Sequence, residues 1–187
     1  MHSVVASVNV LLALVVWGAR AAHADEVKIC YNYGCYARAQ VNYSEAQLAG
    51  LQQLLAAADD AAAERKAISA VIGRMYAIAG EQTPVWRDKG GNFADRGEDG
   101  QMDCVDHSEN TYTFLSLLSL HGWLRFHDVL EPIRRIRYLI AVHWAVGIRD
   151  KGTQRTYVVD SWYFDNGHPA VVIPVEDWRS GKIPGGA

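Results

Sequence analysis

The apolar residues of this 187-residue chain change their spacing part-way along, and that change restricts what it can fold into. Leu48, Leu51, Leu54 and Leu55, then Ile68, Val71, Ile72, Met75 and Ile78, recur at the three-and-four spacing of one helix face. Ser44 with Gln47 three residues on has the form of a capping box, and Asp59 or Asp60 can cap a second helix stopping near Gly80. Later the chain becomes dense in β-branched and aromatic residues. RIRYLIAVHWAVGIRD and QRTYVVDSWYFDN, with DKGT between them, predict a hairpin; PAVVIPVEDW predicts an edge strand and RAQVNY a further short one. Helices followed by strands predict an α+β fold, with N-terminal helices and a cysteine-bearing helix packed on an antiparallel β-sheet.

The N-terminus reads separately. Val4 to Trp17 is almost wholly apolar and too short for the roughly 20 residues that span a bilayer. Ala22-His23-Ala24 follows as a small-x-small cleavage pattern. Residues 1–24 are therefore expected to be a signal peptide, and residues 25–187 a single exported domain, periplasmic or secreted, with no membrane span after cleavage. The n-region carries no Lys or Arg, so an uncleaved anchor is the other reading. A formal charge of −3 without a basic run leaves no electrostatic footprint for nucleic acid.

Export bears on the three cysteines, because disulfides form in oxidising compartments. Cys30 and Cys35 flank YNYG, where Asn32 and Gly34 favour a turn, and a bridge closing this short loop is the simplest reading. Cys104 is then left over as an intermolecular bridge, a buried thiol or a reactive one. It follows a long polar connection, residues 80–103, and precedes a helix expected from about Asp106 to Leu120, with Gly122 as its stop.

If the hairpin turns between Lys151 and Gly152, opposed residues have numbers summing to 303, which sets His143 beside Asp160 on one face. Leu139, Ala141, Ala145 and Gly147 share that face and are mostly small, so the Cys104 helix is expected to approach there. A thiol at a helix N-terminus, an imidazole opposite it and a carboxylate behind the imidazole is the arrangement of an activated nucleophile. The Cys104 N–H is one candidate oxyanion donor, with Gln101 or Trp86 as a second; Trp162, on the same face, is a candidate wall of the substrate cleft.

MDCVDHSENT, followed by HWAV and VVDSW, resembles the transglutaminase-like branch of the papain-like superfamily, closest to the bacterial transglutaminase-like cysteine peptidases. Spacings of 39 and 17 residues match Cys104, His143 and Asp160 to that family's triad one by one. The likeness covers Gly100 to Trp162; along nearly its whole length, including CYNYGC, the chain also resembles exported bacterial proteins of unassigned function. The resemblance implies cleavage of an amide (peptide or isopeptide) bond through a thioacyl intermediate, in a protein or cell-wall peptide. It also implies calcium as a candidate cofactor at Asp103 and Asp106, with Asp99, Glu98 and Asp95 nearby, although thiol chemistry itself requires none.

Other readings stay open. A non-catalytic peptide- or protein-binding module is the principal rival. His107 with His121 or His127 and Cys104 suggests zinc without a clean motif, and Cys30–Cys35 suggests a redox protein without a second motif.

Overall fold

The structure, a computed structural model, describes residues 25–91 and 98–182; the expected signal peptide and Asp95 lie outside the described residues. Strands β1 (Asp25–Tyr31) and β2 (Ala37–Tyr43) form a two-stranded antiparallel sheet. Helices α1 (Glu45–Ala56), α2 (Ala61–Gln82) and α3 (Cys104–Leu120) follow, with a 3₁₀ turn at Pro84–Arg87. Strands β3 (His127–Arg137), β4 (Ala141–Asp150), β5 (Thr156–Asp160) and β6 (Val171–Pro174) make an antiparallel sheet in that order, and α4 (Val175–Ser180) closes the fold. The class is α+β.

The helix starts form where the side chains supply acceptors. Ser44 Oγ accepts from Gln47 N at 3.3 Å and Gln47 Oε1 accepts from Ser44 N at 2.9 Å, a complete capping box. Asp60 Oδ1 accepts from Ala63 N at 2.7 Å. Helix α2 runs two residues past Gly80. A Cβ at Gly80 would meet Asn166 Nδ2 at 2.6 Å, so glycine is used here for close approach rather than as a stop.

The main core lies between α2, α3 and one face of the four-stranded sheet: Ile68, Ile72 and Met75 pack with Phe114, Leu115 and Leu118 and with Val146, Ile148 and Val159. All nine are fully buried, and truncating one such as Ile72 to alanine costs about 2–5 kcal/mol. The other sheet face is smaller: Ala145 and Val158 pack under Val175 and Trp178 of α4.

Three expectations change. First, the β4–β5 pairs sum to 305, not 303, because residues 151–155 form a longer connection than a two-residue turn. A shift of two keeps every side chain on its expected face. Second, RIRYLIAVHW is not one strand but two. The chain reverses at Tyr138–Ile140 with positive φ at Tyr138 (52°) and Leu139 (65°), an uncommon conformation for such bulky residues and one that no Gly or Asn announces. Third, the body of α3 packs on the Val146/Ile148 face; the small Ala145 on the His143 face accommodates Trp178 instead.

Candidate active site

Asp103 is the N-cap of α3 and Cys104 its first residue, two positions before the expected start. Asp103 Oδ1 accepts from Val105 N (2.9 Å) and Asp106 N (3.0 Å), while Asp106 Oδ2 accepts from Asp103 N (3.1 Å). The His107 N–H reaches the Asp103 carbonyl at 3.0 Å. Among the described residues, the Cys104 N–H is the first-turn donor left without an acceptor, and it sits beside the thiol at the positive end of the helix dipole.

Cys104 and His143 face each other on one cavity, near enough for the sulfur to favour a charged imidazole. His143 Nε2 lies 2.7 Å from Asp160 Oδ2, which leaves Nδ1 for the thiol. Burial disfavours charge on this imidazole, but the hydrogen bond to Asp160 and the proximity of Asp160 and Cys104 outweigh it and raise its pKa to about 9. Asp160 is held in turn: Trp178 Nε1 donates to the same Oδ2 at 2.8 Å, and Trp162 N donates to Oδ1 at 3.2 Å. The Trp162, Trp178 and Tyr163 rings stand 4.6, 5.8 and 5.9 Å from the imidazole.

Cys104 and His143 open into a cavity of about 690 Å³, lined also by Trp162, Tyr163, Val142 and Tyr138. Trp162 thus stands in the cleft wall. Gln101 and Trp86 do not line this cavity: Gln101 Oε1 accepts from Glu98 N at 2.9 Å, and Trp86 is exposed with Arg87 over its ring.

The Cys30–Cys35 disulfide is present, and its loop docks on the start of α3. Gly34 N donates to Asp103 Oδ2 at 3.1 Å and Cys35 N to Asp106 Oδ1 at 2.6 Å; Asn32 N donates to Gln101 O at 2.8 Å. Asp103 and Asp106 therefore spend their oxygens on backbone N–H groups, and the pair does not present the open oxygen set that a calcium ion needs. Burial raises the Asp106 carboxyl to about 6, against the pull of the Cys35 and Asp103 N–H bonds. Cys30 and Cys35 also lie close to Asp106, but as a disulfide they offer no thiolate ligands.

Sequence reasoning missed a second buried chain of polar groups. His107 Nδ1 lies 2.9 Å from Ser161 Oγ and His107 Nε2 lies 3.0 Å from Asp88 Oδ2. Ser161 Oγ also meets Thr111 Oγ1 (3.0 Å) and Tyr76 OH (3.3 Å), and Met102 N donates to Asp88 Oδ1 (2.8 Å). Saturated in this way, the group joins α3 to the end of β5. His121 and His127 stand apart, against Asp25 and Glu64 respectively, so His107, His121 and His127 do not converge on a zinc site.

No family model, curated protein or solved structure matches the chain.

Proposed function

We propose that the protein is an exported thiol hydrolase of amide bonds, a transglutaminase-like cysteine peptidase or amidase on a papain-like scaffold. One observation carries the reading: the first-turn Cys104 and a buried His143, itself fixed by Asp160, line the same open cleft. Cys104 gives its proton to His143, its Sγ attacks the amide carbonyl carbon, and the Cys104 N–H receives the developing oxyanion. The C–N bond breaks as the His143 imidazolium gives its proton to the departing amine. Water then adds to the thioacyl carbon, its proton passes to His143, the C–S bond breaks, and a carboxylic acid leaves. Asp160 holds the ring orientation throughout.

The Cys30–Cys35 disulfide is compatible with an oxidising compartment, and among the described residues no helix is long and apolar enough to cross a membrane. The substrate expected there is a protein or a cell-wall peptide.

The test is alkylation of the folded protein by iodoacetamide, mapped by mass spectrometry. Cys104 should label rapidly while Cys30 and Cys35 stay linked, and His143→Ala should slow labelling at pH 7 by about tenfold or more. Labelling only after denaturation rejects the enzyme and favours the binding module.

A further inference from the structure

Two arginines line the same cleft, on the strand that the sequence did not separate from its neighbour. Arg135 pairs with His143 across the β3–β4 ladder, and Arg137 lies two pairs further toward the hairpin tip, on the same face. Arg135 has a structural duty: it donates to Trp178 O and, at 3.0 Å, to Tyr163 OH, with its guanidinium over the Trp178 ring. Arg137 has a lighter hold. It donates to Tyr138 OH at 3.1 Å and lies over that ring. Gly181 comes up against it closely enough that any side chain there would displace the guanidinium.

Among the described residues, neither arginine has a carboxylate within 4.0 Å; the ion pairs present involve other groups. The acids of the site are committed elsewhere, Asp103 to the helix cap and Asp160 to His143 and Trp178. An apolar cleft with Trp162 and Val142 on its walls thus holds two guanidinium groups that, among the described residues, have no carboxylate partner, in the same cavity as Cys104.

Resting on the hydrolase reading above, we infer that Arg137, with Arg135 behind it, selects amide substrates carrying a carboxylate close to the bond that is cut. A guanidinium on the floor of such a cleft binds carboxylate with two parallel N–H···O bonds, which a neutral amide cannot reproduce. An acidic side chain and a free C-terminus both supply that group.

A mixed peptide library, half of it C-terminally amidated, is digested with the native protein and with Arg137→Gln and Arg137→Lys variants, and the cut sites are read by mass spectrometry. The native protein is expected to favour Asp, Glu or a free C-terminus near the cut by about tenfold, Arg137→Gln to lose that preference and Arg137→Lys to keep part of it. The amidated half shows which carboxylate is read. Cleavage with no acidic preference overturns the inference and leaves the hydrolase standing. Binding is measured separately with Cys104→Ala, by the tryptophan fluorescence change on adding acidic peptides and their neutral amide counterparts. Tighter binding of the acidic member, lost on adding Arg137→Gln, without cleavage by the native protein rejects the hydrolase and leaves Arg137 as a carboxylate-binding residue of a peptide-binding module. Equal binding, or none, overturns it.

Discussion

Trp178 and His143 hold the same atom: the indole Nε1 and the imidazole Nε2 approach Asp160 Oδ2 at 2.8 and 2.7 Å. A carboxylate with two donors on one oxygen cannot rotate without breaking both bonds, so the orientation of the imidazole is set from α4. Trp178→Phe keeps an aromatic ring in the packing and removes the donor. We expect turnover to fall by about tenfold with the thermal midpoint lowered by a few degrees, checked by kcat/KM on a cleaved peptide and by calorimetry.

Asp160→Asn should be far more damaging, lowering kcat by on the order of 10²–10⁴ while the fold persists, read from steady-state kinetics beside a circular dichroism melt. The same substitution changes the pH response. His143 is raised from its usual 6.5 to about 9 against its burial, by Asp160 and Cys104. Its contribution to stability is fully present below about 6.5 and lost as pH rises through about 9. Urea midpoints between pH 6 and 10 should fall less in Asp160→Asn than in the native protein.

Glu64 is a buried hub outside the candidate site. It accepts from Arg125 N (2.6 Å), Phe126 N (3.0 Å) and His127 Nδ1 (2.7 Å), starting β3 from α2. Burial works to raise its carboxyl, but these bonds win and hold it below the usual range. That stability is present above about 4.5 and lost as pH falls through the lowered value. Glu64→Gln should cost about 2–4 kcal/mol at neutral pH and flatten the acid limb, measured by urea denaturation at pH 7 and pH 4.

Opening the Cys30–Cys35 bridge tests how far the disulfide loop sets the start of α3. The six-residue loop accounts for about 2 kcal/mol on chain-entropy grounds. Because Gly34 and Cys35 cap Asp103 and Asp106, Cys30→Ser with Cys35→Ser should also slow alkylation of Cys104. A melt lowered with unchanged labelling would assign the loop to stability alone.

Local signals were the legible ones. Ser44, Gln47 and Asp60 announced α1 and α2 because capping partners lie three residues apart. His143 and Asp160 were placed on one face because alternation survives a register error of two. Strand β1 was not read at all. The Tyr138–Leu139 reversal carries no turn residue, so its hairpin stayed hidden, and with it the placement of Arg135 and Arg137 in the cleft. Trp178, Glu64 and the Asp88–His107–Ser161 chain act through partners 18 to 63 residues away, where spacing carries no trace.

Cys104, His143, Asp160 and Trp178 come from four elements, and two of them reach the site only once both faces of the sheet are covered. An unfolded chain holds these groups tens of residues apart, and its thiol then has no imidazole beside it. Collapse of the non-local sheet, the slow part of folding such a topology, is therefore also the step that brings Cys104, His143 and Asp160 together.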